Sequence, residues 1–438
     1  MSTAVETPPP AISEWKVVRG GLVVGAGLLI GQALGFIRQA TIAYLLGTGP
    51  HADAIAVAFA PVDLWWAVLA TAVIFGFGPM LAARERRASF RELSRPVVRV
   101  ALVSTAVFLV AARPIVRLLA PGLDAGTTEM AAGLLRLTAL AVPAVAWSTL
   151  FTALLYSERR FAFPAFHQGV VNLSTILTAV ALESRLPGVG FALGYAAGAW
   201  LQLAAAYAIS RPLLRLRPEG SEKVRLAELL AGPAPVLCYS ALIALNPVVT
   251  RAVASTFGPG STAAFDYCLK LVGVPLVLLV IPLSSSLLSE IAPFRLRADR
   301  GPAFGAIGRA AVWTALAAAG ITVVMTALGP WVVALLFERG RFGAASTSTV
   351  SGILSGFFPV LVAWSVLDVI SRSLFALGRS RAPILAAGLG LLINLAFSTL
   401  FPFSSIDRIG LGAVLGFAAA AVVVAVHLRR RYGIHLAA

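Results

Sequence analysis

The sequence predicts an all-α polytopic membrane protein, with about twelve transmembrane helices in two six-helix lobes related by a pseudo-two-fold axis along the membrane normal. Three observations predict it. Of 438 residues, 59% are hydrophobic and 12% charged, and mean hydropathy is +0.89. An average soluble domain carries about 25% charged residues, and so few charges cannot cover a water-soluble surface of this size. Apolar runs long enough to cross a bilayer recur along the whole chain, and the two halves of the chain resemble each other.

Residues 1–13 are polar and contain Pro8-Pro9-Pro10, which predicts a disordered cytoplasmic tail. The stretch lacks the basic start, short apolar core and small-residue cleavage site of a signal peptide. Crossing the hydrocarbon core takes about 20 apolar residues. Candidate spans lie at 18–46, 53–83, 97–120, 130–156, 163–182, 188–210, 229–256, 263–292, 304–337, 349–377, 382–402 and 409–428. Several exceed a straight crossing; tilt, helical extensions and kinks at Pro61, Pro143, Pro275, Pro282 and Pro359 would absorb the excess. The domain plan is an N-lobe over 14–210, a hydrophilic cytoplasmic linker over 211–228, a C-lobe over 229–431 and a cytoplasmic tail over 432–438.

Charge sets the orientation. With the N-terminus inside, cytoplasmic segments hold 25 Lys/Arg and external segments six, while Arg38, Arg136, Arg251 and Lys270 fall within spans. That bias puts both termini in the cytoplasm. It also explains the net charge of +16 without nucleic acid, because the basic residues punctuate apolar runs.

The halves share local patterns. Ala146-Trp147-Ser148 after Pro143 recurs as Ala363-Trp364-Ser365 after Pro359, and Asn172-Leu173 recurs as Asn394-Leu395. Gly47-Thr48-Gly49 matches Gly258-Pro259-Gly260. The offset runs from 211 to 222 residues. An even number of spans per repeat makes the repeats parallel, with the axis along the membrane normal.

Several chemistries are excluded or unsupported. No phosphate-cradling G-x-x-x-x-G-K-[ST] loop and no H-E-x-x-H motif occurs, so no cofactor is expected. Cys238 and Cys268 both sit in apolar runs and read as small packing residues. The informative residues are ionisable ones inside spans, each costing about 2.5–3.5 kcal/mol at a helix centre on insertion scales. Arg38, Arg251 and Lys270 lie in the outer halves of their spans, and Asp53 begins the second. If the lobes face each other, three cations converge on one chamber, which suits a phosphate or diphosphate.

Plainer readings stand beside these. Asp266 and Lys270 are four apart on one helix and would neutralise each other, and Asp368 and Arg372 have the same spacing. Asp53 follows a Gly/Pro turn and would serve as an N-cap. Arg136 and Arg251 would reach the external headgroups. Asp63 is either a proton or cation site or the partner of a neighbouring hydroxyl. Asn172 and Asn394 read as hydrogen-bonding glue between helices.

Three stretches carry a resemblance. They are Leu34-Gly-Phe-Ile-Arg38-Gln-Ala40 with Gly47-Thr-Gly-Pro-His-Ala-Asp53, then Leu335-Leu-Phe-Glu-Arg-Gly-Arg-Phe342, then Ser371-Arg-Ser-Leu-Phe-Ala-Leu-Gly-Arg379 leading to Asn394. They resemble the MurJ (MviN) lipid II flippases of the multidrug/oligosaccharidyl-lipid/polysaccharide exporter superfamily. The resemblance implies two six-helix lobes that open alternately to either side of the bacterial cytoplasmic membrane. It implies a cargo of undecaprenyl-diphosphate-linked glycan, either lipid II or another polyprenyl-linked saccharide, and enzymes of cell-wall or polysaccharide synthesis as partners. Carried over by position, Arg38, Asp53, Lys270, Arg251 and Gln32 are the implied cargo-binding residues, with Gln32 and Lys270 standing where the family usually has Arg. Trp65-Trp66 replaces a basic pair, and the family usually has two more spans. Two other functions stay open on the residues alone: a cation-coupled exporter using Asp63, Asp266 or Asp368, and a non-transporting cell-wall scaffold.

Overall fold

A computed structural model describes residues 14–72, 90–158, 160, 162–214, 234–291, 294, 301–401, 403 and 405–432. The predicted tail at 1–13, 433–438 of the predicted tail over 432–438, 215–228 of the predicted linker, 73–83 of the second predicted span and 229–233 of the seventh lie outside the described residues. The described chain is all-helical. The first half holds α1 (Glu14–Leu46), α2 (Pro50–Ala72), α3 (Phe90–Val110), α4 (Ala112–Leu119), α5 (Ala125–Ala139), α6 (Val142–Ser157), α7 (Ala162–Leu182) and α8 (Val189–Leu214). The second holds α9 (Ala234–Ala254), α10 (Ser261–Pro275), α11 (Ile281–Ile291), α12 (Gly301–Phe337), α13 (Ala344–Phe357), α14 (Val360–Ala376), α15 (Arg381–Leu400) and α16 (Leu411–Tyr432). Nine of the described helices are long and apolar enough to cross a membrane, or up to twelve when each bent pair is one span.

The bends follow proline chemistry, since proline is tolerated in a helix's first turn and not in its interior. α5 and α6 are bent by 40° ahead of Pro143, and α13 and α14 by 46° at Pro359, so the two halves break at equivalent places. α10 ends at Pro275, a π-turn spans Leu276–Val280, and α11 restarts with Pro282 in its first turn. Pro61 lies inside an unbroken α2. The run over 97–120, expected as one span, is broken into two helices bent by 82° at Ala111, because Pro114 needs a first-turn position.

Within the first half α1 packs on α7, α7 on α8 and α2 on α5; within the second α9 packs on α15, α12 on α14 and α15 on α16. The α7–α8 contact is close because Gly190, Gly194 and Gly198 stand every fourth residue on α8, where a Cβ would meet the α7 backbone at Thr178, Thr175 and Val171. Asparagines fasten other pairs. Asn172 Nδ2 donates to Gly31 O at 3.3 Å, and Asn394 Nδ2 to Asn246 Oδ1 at 3.1 Å.

Candidate functional site

α1 and α9 both run from the end of the bundle that holds the N-terminus of α1 to the opposite end, here called the far end. At the far end each reaches a glycine turn and hands over to an antiparallel partner, α2 or α10. Gly47 (φ +65°), Gly258 (φ +96°) and Gly260 (φ +89°) make these turns, and all three adopt the left-handed region that favours glycine. The two hairpins thereby face each other across the seam between the halves.

Polar contacts close that seam at the far end. The Asp53 carboxylate of α2 accepts from the amides of Gly260 and Ala263, the latter at 2.7 Å, and so caps α10 from the other half. Tyr267 Oη donates to Gly47 O at 2.8 Å, and Arg341 N to Tyr44 O at 2.9 Å. Gly122 N donates to Ser255 Oγ at 3.0 Å, and the Thr48 and Ser346 hydroxyls lie 2.6 Å apart. α2 is buried from Ala52 to Val62, then partly exposed from Asp63 to Trp66, so it leaves the closed seam at Asp63.

The charged residues cluster just below this seal. Arg38 of α1 lies with its guanidinium carbon 5.7 Å from the Phe59 ring centroid, and its buried Nε has no hydrogen-bond partner. Lys270 of α10 reaches across to α1, with Nζ 3.4 Å from Gln32 Oε1 and room made by Gly35. Neither cation has a carboxylate oxygen within 4 Å among the described residues. Arg251 of α9 is 7% exposed and gives both Nε (3.1 Å) and Nη2 (2.6 Å) to one oxygen of Asp266. Asp63 of α2 accepts from Tyr195 Oη of α8 at 3.0 Å. A cavity of about 40 Å³ separates Arg38, Gln39, Phe59, Asp63, Asp266 and Tyr267.

The three cations expected at the chamber are therefore together, but in company with Asp53, Asp63 and Asp266. Asp266 is paired with Arg251 rather than with its helical neighbour Lys270. Asp53 caps α10 rather than its own helix. Asp368 stands apart, inside the second half, bonded to Arg372 at 2.8 Å and to Ser284 Oγ at 3.1 Å. Arg136 is exposed near Glu129 and donates to Leu109 O. Sequence reasoning missed Tyr195, one of two tyrosines on an apolar helix, and the α10 amides, which no side-chain pattern advertises. Among the described residues Arg38 and Lys270 remain as two cations from opposite halves with no ion pair, suited to an oxyanion.

Two parallel helical halves that meet at one end over a charged chamber define a two-lobed membrane transporter rather than an enzyme. The chain belongs to the lipid II flippase MurJ family, whose model matches residues 42–438. A probable lipid II flippase MurJ of Rhizobium meliloti is 25% identical over 410 residues, covering 88% of this chain and 76% of that one. The fold is that of a solved lipid II flippase MurJ in an inward closed conformation (TM-score 0.80, 18% identity, 93% of this chain and 87% of that one). An inward-facing multidrug resistance MATE transporter of the MOP superfamily also matches (TM-score 0.72, 14% identity, 92% and 94%). The family is one of multi-pass proteins of the bacterial inner membrane.

Proposed function

We propose that this chain moves a polyprenyl-diphosphate-linked glycan, lipid II or a related saccharide carrier, across the membrane by alternating access. The observation that carries the reading is the pair Arg38 and Lys270: one cation from each half, with no carboxylate within 4 Å among the described residues, beside the seam where the halves meet. A diphosphate bridging them would draw the halves together around the cargo. Gln32 adds an amide beside Lys270, and Arg251 supports the site through Asp266. The excess of basic residues on the N-terminal side supports placing the far end outside and both termini in the cytoplasm. On that orientation this conformation is sealed to the exterior. The lobes would be 14–210 and 229–431, with 211–228 as a cytoplasmic linker.

The test is flipping of a fluorescent polyprenyl-diphosphate-linked sugar in proteoliposomes. Arg38→Ala and Lys270→Ala should each lower the rate by tenfold or more, about 1.4 kcal/mol of cargo stabilisation apiece, with the protein still monodisperse. Wild-type rates in both variants would reject the reading.

A further inference from the structure

We infer that Asp63 is a proton site linked to the cargo: it takes up one proton when the diphosphate engages Arg38, and returns it when the cargo leaves. The inference rests on the proposed role of Arg38. Of the three carboxylates at the seam, Asp53 is satisfied by α10 amides and Asp266 by Arg251. Asp63 has the Tyr195 hydroxyl, and no cation within 4 Å among the described residues.

Asp63 and Arg38 line the same cavity of about 40 Å³, from helices of the same half. That volume admits a water or two. Arg38 also keeps a buried Nε–H without an acceptor. The two opposite charges thus compensate each other across a small polar gap. A carboxylate within a membrane span requires such compensation. A diphosphate diester on Arg38 withdraws it and brings two more negative charges close. Nearby negative charge favours the neutral acid over the carboxylate. The balance is one proton from water onto an Asp63 oxygen, with Tyr195 and the cavity as neighbours. Cargo and proton then travel as a partly neutralised load.

The other charged and titratable groups around Asp63 are placed as follows. Asp266, Tyr267 and Lys270 come from α10, Arg251 from α9 and Asp53 from its own helix. Glu129 of α5 lies near both Arg113 of α4 and Arg136 on an exposed face. Arg117 of α4 is exposed, and Tyr156 of α6 lies at the other end of the bundle. Among the described residues, Lys270 is the further cation without an ion pair on the facing helices.

The experiment is calorimetric binding of a short-chain polyprenyl-diphospho-N-acetylglucosamine to the full chain in nanodiscs. The diester diphosphate of this probe does not titrate near neutrality. Measurements in buffers of different ionisation enthalpy count the protons exchanged. Wild type should take up about one proton per probe bound, and its affinity should rise as pH falls. Asp63→Asn should lose that proton and, with it, most of the dependence of affinity on pH. Asp63→Glu should restore uptake, which a merely structural role would not require. Probe binding without uptake in wild type, or equal uptake in Asp63→Asn, overturns the inference and leaves the proposed function standing. Failure of wild type to bind the probe would instead sink the proposed function, and this inference with it.

Discussion

Asp53 gives its carboxylate to two amides at the start of α10, 207 and 210 residues further along the chain. Hydrogen bonds to a charged group contribute about 1.5–3 kcal/mol each. Asp53→Ala should therefore shift the far end toward open by about 3 kcal/mol. Spin labels on the exposed His51 and Thr256 would report it as a longer inter-half distance by pulsed EPR; an unchanged distribution would count against the cap. Asp124 is a local cap by contrast. Its carboxylate accepts from the Thr127 hydroxyl (2.6 Å) and from the amides of Gly126 and Thr127 at the start of α5. The Thr127 hydroxyl, followed by that residue's amide, holds the carboxyl below the usual carboxylate range. A lowered value means the cap is intact above the unfolded carboxyl's pKa of about 3.9 and is lost as pH falls through the lower, folded value. Hydrogen exchange at Gly126 and Thr127 should quicken only in that acid range, and at all pH in Asp124→Ala. Local spacing made the Asp368–Arg372 pair legible in the sequence. It misled for Asp266, because the α9–α10 hairpin sets Arg251 opposite that carboxylate, and no i,i+4 rule anticipates a partner on the next helix.

Twelve apolar runs announced the elements, and the prolines announced most of the breaks. The bend at Ala111 was not read, although Pro114 was there to signal it: an apolar run of 24 residues looks continuous until its proline must sit in a first turn. On α1, Gly27 meets the α7 backbone at Ala165. The row that meets a neighbour's backbone at every step is on α8, and a four-residue repeat cannot say which neighbour it fits. Gly194→Leu should force α7 and α8 apart and destabilise the first half by about 1–3 kcal/mol, read as a lower thermal unfolding midpoint in detergent. Gly133→Ala on α5, where open space surrounds the missing Cβ, is the control and should hold or slightly raise the midpoint.

As a whole the molecule is two halves whose polar contacts gather at one end. The fold was legible from hydropathy and the repeat, since both are properties of the chain taken in long stretches. The seam was not, since its partners come from opposite halves and most are backbone groups. A transporter that alternates must break this seam once per cycle. Thr48→Cys with Ser346→Cys, at a pair of hydroxyls 2.6 Å apart, should form a disulfide that stops flipping under oxidising conditions and releases it on reduction. Flipping that continues while cross-linked would mean the far end need not part. The cap by Asp53 has one more consequence. Its counterpart in the repeat, at the 211-residue offset of the glycine turns, is Ala264, so at this pair of turns the first half supplies the carboxylate and the second half the amides. Separation therefore pulls apart unlike charges, and dissolved ions screen what remains. The resting balance between sealed and unsealed forms should thus answer to ionic strength, with brine loosening a doorway that fresh water keeps shut.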